Sequence, residues 1–213
     1  LYVSELFIIH MIIIKYNINL TVINFMLYYI INMVDGTTFT LNDGSTIEID
    51  IVGELISSSY YSEAGVVDIT SVIIGQGVTS IGDAAFRYAS SLTSITIPAS
   101  VTSIGVQSFY KTSLTSIIFG ANSQLTSIGN NAFYGASSLT SINIPEGVTS
   151  IDINVFVNSG FTDVLYNENN TILVYYPQSL TATEFAIPTT VTSIASSAFY
   201  GVTSLVEITI PAL

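Results

Sequence analysis

One unit written several times over constrains this chain more than any other feature. Residues 92–113, LTSITIPASVTSIGVQSFYKTS, recur with changes from about Ile69 to the last of the 213 residues. The tripeptide Thr-Ser-Ile alone occurs eight times. Self-similarity at a short fixed period specifies a stack of coils, because each unit buries its apolar side only against its neighbours. Units begin at Ile69, Leu92, Leu114, Leu139, Phe161 and Leu205, and the first four steps are 23, 22, 25 and 22 residues.

Each unit has three segments. The first is LTSITI at 92–97, with ITSVII, LTSIIF, LTSINI and LVEITI in its place elsewhere. Apolar residues at its fourth and sixth positions alternate as in a strand with one buried face. Pro98, Pro145 and Pro211 end it in three units, where no ladder hydrogen bond is needed. The second segment, a V/L-T-S-I strand, stands at 78–81, 101–104, 125–128, 148–151 and 191–194. The third, IGDAAF and its equivalents, reads as one short helical turn per coil, with Asp83, Asn130 and Ser196 where an N-cap belongs. Phe86, Phe109, Phe133, Phe156 and Phe199 recur in phase, which predicts a stacked phenylalanine column in the core.

The period breaks once. VLY at 164–166, NENN at 167–170 and TILVYYP at 171–177 read as a hairpin insertion near 164–177, which stretches that unit to about 43 residues between Phe156 and Phe199. The last unit stops within itself at 210–213. Upstream, 37–41 and 46–51 alternate around Asn42, Asp43, Gly44 and Ser45. That predicts a β-hairpin inside an N-terminal cap, 33–65, closing the open first coil. Residues 53–65 are expected to be a loop with at most one helical turn. Glu48 and Asp50 fall on the solvent face of the hairpin, where a solvated strand explains them better than a carboxylate pair does.

Three readings of residues 1–32 stand side by side. The stretch 6–31 is long and apolar enough for a membrane anchor, but Lys15, Asn17, Asn19 and Asn24 are costly in hydrocarbon. No basic residue precedes the apolar run and no small-residue cleavage site follows it, so a signal peptide fits poorly. The stretch lacks Gly, Ala, Pro and Arg, opens on Leu1, and precedes Met33. Mistranslated AT-rich sequence upstream of a start at Met33 accounts for all of this.

Composition then removes whole function classes. Three basic residues against fifteen acidic ones give a formal net charge of −12. Nucleic acid is therefore not an expected partner, since phosphate contacts need Lys and Arg; a membrane becomes one only if 6–31 is a true anchor. There is no cysteine, and the single histidine, His10, lies outside the repeats. Disulfides, thiolate zinc sites and Ser-His-Asp catalysis are excluded there. No enzyme activity, cofactor or metal is expected.

The segments L-T-S-I-N-I-P-E-G-V-T-S-I (139–151) and V-T-S-I-G-D-A-A-F (78–86) resemble the BspA-like, or Treponema pallidum type, leucine-rich repeats. VLY and TILVYYP resemble that family's interrupted variant. The chain departs from it where the family often has Cys after the Phe and this sequence has Ala89, Thr112, Ala136 and Val202. The resemblance covers about 66–213. It implies a β-rich leucine-rich-repeat solenoid and a secreted or cell-surface protein engaged in adhesion and protein binding, and it brings no catalytic residues.

Candidate ligand-contacting residues lie on the outward side of the first strands: Thr93, Ser94, Thr96, Thr115, Ser116, Ile118, Thr140, Ser141 and Asn143. Tyr110, Tyr134 and Tyr200, which follow the core phenylalanine, are expected to add an exposed aromatic row, with Tyr110 and Tyr134 as its candidate contacts. A protein or glycan ligand is the expected partner. The competing accounts are ordinary: Ser and Thr suit a solvated sheet, and edge tyrosines commonly bury their rings while keeping the hydroxyl wet. Wandering coil length argues against an ice-binding Thr ladder. Asn169-Asn170-Thr171 is a formal glycosylation sequon. The rival to a binding module is a structural spacer within a longer surface or virion protein.

Overall fold

The computed structural model describes residues 37–41, 46–49 and 53–55 as paired backbone, and 69–211 throughout. Residues 1–36, 42–45, 50–52, 56–68 and 212–213 lie outside the described residues, and with them the apolar segment, the expected hairpin turn, Asp50 and most of the expected loop. Among the described residues fifteen strands form four sheets, two of them five-stranded and largely parallel. The first sheet runs β2 (Thr46–Ile49), β1 (Thr37–Leu41), β4 (Ile69–Ile73), β6 (Ser94–Ile97) and β8 (Ser116–Phe119). The second runs β3 (Gly53–Leu55), β5 (Val78–Ile81), β7 (Ser103–Ile104), β9 (Ser127–Ile128) and β10 (Ser150–Ile151). Repeats pair in parallel with like against like: Ser71, Ser94 and Ser116 share a row, as do Ile81 and Ile104. β1 pairs antiparallel with both β2 and β4, so the two strands of the N-terminal hairpin extend the first sheet and β2 is its edge. Residues 53–55, expected to be loop, instead form β3 and give the second sheet a rung before Ile69.

The abundance of Thr-Ser-Ile has a hydrogen-bonding cause. Thr93 donates both its amide and its hydroxyl to the Thr70 carbonyl, at 2.9 and 3.1 Å. Thr115 does the same to Thr93, Thr102 to Thr79, and Thr126 to Thr102. A carbonyl oxygen has two lone pairs, so a threonine at this place ties each coil to the previous one twice through one acceptor. Each net hydrogen bond contributes about 0.5–1.5 kcal/mol.

The third segment is not helical; no helix is present among the described residues. It is a series of turns in which Ala85 bonds back to Gly82 and Ala89 to Phe86, with Ala84 (φ 53°) and Tyr88 (φ 62°) as the third residues. Positive φ recurs two residues before and two after each phenylalanine, at Gln107 and Lys111, Asn131 and Gly135, Asn154 and Asn158, Ser197 and Gly201. A right-handed helix cannot contain such residues. Meanwhile the amides of Ala84, Phe86 and Tyr88 reach the carbonyls of Val106, Ser108 and Tyr110 in the next coil, at 2.6–2.8 Å. Asp83, expected to cap its own helix, accepts the Val106 amide of the next coil at 2.7 Å.

Side chains at the alternate positions fill the space between the sheets. Phe86, Phe109, Phe133 and Phe156 stack at 5.3, 5.1 and 5.4 Å with their ring planes nearly parallel, and all are buried. Coils also touch by backbone. A Cβ on Gly105 would lie 2.7 Å from the Asp83 amide nitrogen, so glycine there permits the approach.

Beyond Phe156 the column turns. Phe161 and Tyr175 meet Phe156 at steep angles, and Tyr176 then stacks on Phe199 at 5.4 Å. The reason lies in the interruption itself. β11 (Leu165–Tyr166) and β12 (Ile172–Tyr175) pair antiparallel, and β12 pairs in parallel with β14 (Ser193–Ile194). The second arm thus stands beside β14 as a V-T-S-I strand of the preceding coil would, in a separate three-stranded sheet, and Tyr176 takes the phenylalanine place of that rung. The long 43-residue unit is in effect two coils. Asn167, 2% exposed, closes the hairpin by accepting the amides of Thr171 and Ile172 at 2.9 and 2.8 Å. A smaller core of Leu173, Ile187, Val191 and Ala198 follows the main one. There β13 (Glu184–Ala186) pairs with β15 (Glu207–Thr209).

Candidate binding face

Alternation along β4, β6 and β8 sends Val72, Ile95 and Ile117 inward and two rows of side chains outward. One row is Ser71, Ser94 and Ser116; the other is Ile73, Thr96 and Ile118. Ile73 and Ile118 are 51% and 56% exposed. Asn143, one residue before buried Ile144, continues the second row in sequence phase and is exposed. Sequence reasoning omitted Ile73, although the repeat phase alone places it beside Thr96.

The threonines behave differently from the rows. Thr93 and Thr115 are exposed, but their hydroxyl protons are committed to the preceding coil. Ser94 likewise donates to the Ser71 hydroxyl at 3.0 Å. What these side chains offer a ligand is methyl groups and acceptor lone pairs. Thr140 and Ser141 are exposed, and the ladder of threonine hydroxyl bonds stops before them, at Thr115.

The tyrosines form a real row. Tyr110 and Tyr134 stack face to face at 5.2 Å, and Tyr88, two residues after its phenylalanine, meets Tyr110 edge-on at 5.5 Å. Both Tyr110 and Tyr134 are half-buried, and the Tyr134 hydroxyl accepts from Asn158 at 2.9 Å. Their faces are largely occupied by each other, so sugar stacking is confined to the ends of the row. Arg87 sits over the Tyr88 and Tyr110 rings and Lys111 over Tyr110, at 4.8, 5.3 and 5.5 Å. Cations over ring faces are held by the ring quadrupole.

A recess opens where the first sheet ends. β8 is the last strand of that sheet; the first segment of the following coil forms no strand beside it, its one bridge being from Ile144 to Asn167 of the hairpin. The cavity there measures about 440 Å3 and is lined by Phe119, the loop 120–123, Asn143, Pro145, Glu146 and Glu168. Asn143 donates toward Glu168 at 3.4 Å. The clue in the sequence was the 25-residue step from Leu114 to Leu139.

Two phenols are shifted. Burial pushes the Tyr175 hydroxyl above its usual range, opposed by a backbone hydrogen bond at Gln178, and burial also raises Tyr166. Among the described residues no group of three or more His, Cys, Asp or Glu side chains could hold a metal ion. Among the described residues no helix is long and apolar enough to cross a membrane.

Comparison with known proteins agrees with this geometry. A profile described as BspA type leucine rich repeat region matches in 6 copies, over residues 54–177 and 174–213. The match begins within β3. Among solved structures, a leucine-rich repeat protein from Eubacterium ventriosum is 27% identical with a TM-score of 0.53, over 82% of this chain and 57% of that one. The pneumococcal vaccine antigen PcpA is 20% identical over 82% of this chain and 59% of its own, with a TM-score of 0.49. A leucine rich cell surface protein from Faecalibacterium prausnitzii is 26% identical over 83% and 54%, with a TM-score of 0.44. The chain therefore spans less than three fifths of these proteins. No curated protein matches it.

Proposed function

The chain belongs to the BspA-type leucine-rich repeat family, and from that membership we propose that it is a non-catalytic module that binds a protein or glycan ligand outside the cell. The observation that carries this reading is the outward row Ile73, Thr96, Ile118 on β4, β6 and β8. Two half-exposed isoleucines in one row of the sheet serve no purpose in the core, and aligned apolar exposure of this kind is what contact surfaces use. The flanking Ser and Thr side chains, spent on inter-coil bonds, act as the frame around that row. Tyr110 and Tyr134 belong to the same reading as a secondary edge, through hydroxyls rather than ring faces. Location at the cell surface is part of the same proposal and rests on the family resemblance alone.

The test is a screen of the purified chain against extracellular-matrix proteins and a glycan array, repeated with Ile73→Glu and Ile118→Glu. We expect at least one ligand, and about tenfold or greater loss of its affinity in both variants, as for central contacts in other interfaces. Unchanged affinity in both moves the site off this sheet.

A further inference from the structure

This inference rests on the binding-module reading above and assigns it a ligand class and a place. The turn after β8 is two residues longer than its counterparts: Phe119 to Leu125 spans six positions, whereas Ile97 to Val101 and Ile144 to Val148 span four. Asn122 within it has φ 58° and is exposed. The next coil consequently does not lie flush on β8, and the recess is the space left between them.

We propose that this recess is a subsite for neutral sugar, one or two residues of a glycan. Its volume, about 440 Å3, lies within the roughly 300–1,000 Å3 of small-ligand pockets. Its polar groups are a mixed set. Glu146 and Glu168 accept hydrogen bonds, while the Asn143 amide both donates and accepts. Sugar hydroxyls do both as well, and Phe119 offers a half-buried apolar wall to the C–H side of a ring. A lysine from a protein partner would satisfy the carboxylates and leave the Asn143 amide protons without an acceptor. No basic residue lines the recess, so sulfated, phosphorylated or sialylated sugars meet two carboxylates with nothing to offset them. Asn143 now rests against Glu168 at 3.4 Å, longer than a good N–H···O bond, so an incoming hydroxyl displaces little.

The whole chain is titrated calorimetrically with maltose, cellobiose, lactose and N,N′-diacetylchitobiose, and separately with a lysine-rich peptide and with calcium chloride. Asn143→Ala and Glu168→Ala, both at exposed positions, are run beside it, with thermal melting to show that each is folded. Saturable binding of at least one disaccharide, weakened about tenfold or more in both variants, is the expected result. Three outcomes overturn the proposal: no disaccharide binds, binding requires calcium, or only the peptide binds. Sugar binding that survives both variants but is lost in Ile73→Glu and Ile118→Glu also overturns it, and leaves the sheet-face reading standing. A ligand from the screen that fails to respond to the sheet-face variants, while disaccharides depend on Asn143 and Glu168, separates the two the other way.

Discussion

Threonine at the head of β6, β7, β8 and β9 uses one acceptor for two donors, and this gives the residue-scale chemistry a sharp test. Replacing Thr126 with isosteric valine removes the hydroxyl bond to the Thr102 carbonyl and keeps the amide bond. We expect a loss of about 1 kcal/mol in chemical denaturation; Thr126→Ser keeps the donor and should lose less. Backbone strain gives the opposite sign. Gln107 holds φ at 55°, where its Cβ is disfavoured by about 1–2 kcal/mol and glycine is not. Offset by the entropy glycine loses on folding, Gln107→Gly should raise stability by about 0.5–1 kcal/mol, read as a higher melting temperature. The sequence displayed the threonines as a period and assigned them to a face. It had no means of showing where their protons go, because the acceptor lies more than twenty residues away. Asn131 and Asn154, which share the place of Gln107, were a legible hint of left-handed backbone and against a helix.

Among elements, the phenylalanine column carries most per residue. Phe133 is fully buried between Phe109 and Phe156, so Phe133→Ala should cost about 3–5 kcal/mol, whereas half-buried Phe199 should cost clearly less on truncation. Equal losses in thermal melts would contradict a continuous stack. The hairpin adds a pH dependence. Tyr175 ionises later in the folded protein than at its unperturbed 10.0, because burial penalises the phenolate. Its contribution is therefore complete below pH 10 and is lost as pH rises above that value. Stability measured from neutral pH to about pH 11 should fall at the alkaline end, and less steeply in Tyr175→Phe. The strands and the column were readable in the sequence because burial enforces their spacing on every coil. The coil hidden in TILVYYP was not, since Leu173 and Tyr176 replace the usual Ile and Phe and an antiparallel arm precedes them.

At the scale of the whole molecule, a solenoid's stability is close to a sum of coils and nearest-neighbour interfaces. The main core ends near the hairpin, and the second, of Leu173, Ile187, Val191 and Ala198, is small. In the last coil Val206 is 86% exposed and Ile210 72%. Hydrogen exchange should accordingly be fastest across 184–210 and slowest across β5, β7 and β9, in the order of local opening energies; uniform exchange would mean that the array opens as one block. The lengthened turn after β8 has a separate bearing on how such proteins diversify. Because the strands and column on either side keep their phase, turn length is a variable that can change without renegotiating the interior. Grafting the loop 120–124 in place of 98–100 should therefore carve a second hollow one rung earlier, so that a ligand's length could be matched by counting rungs. On that view the scaffold is a ruler, and new specificities arise by moving a notch along it.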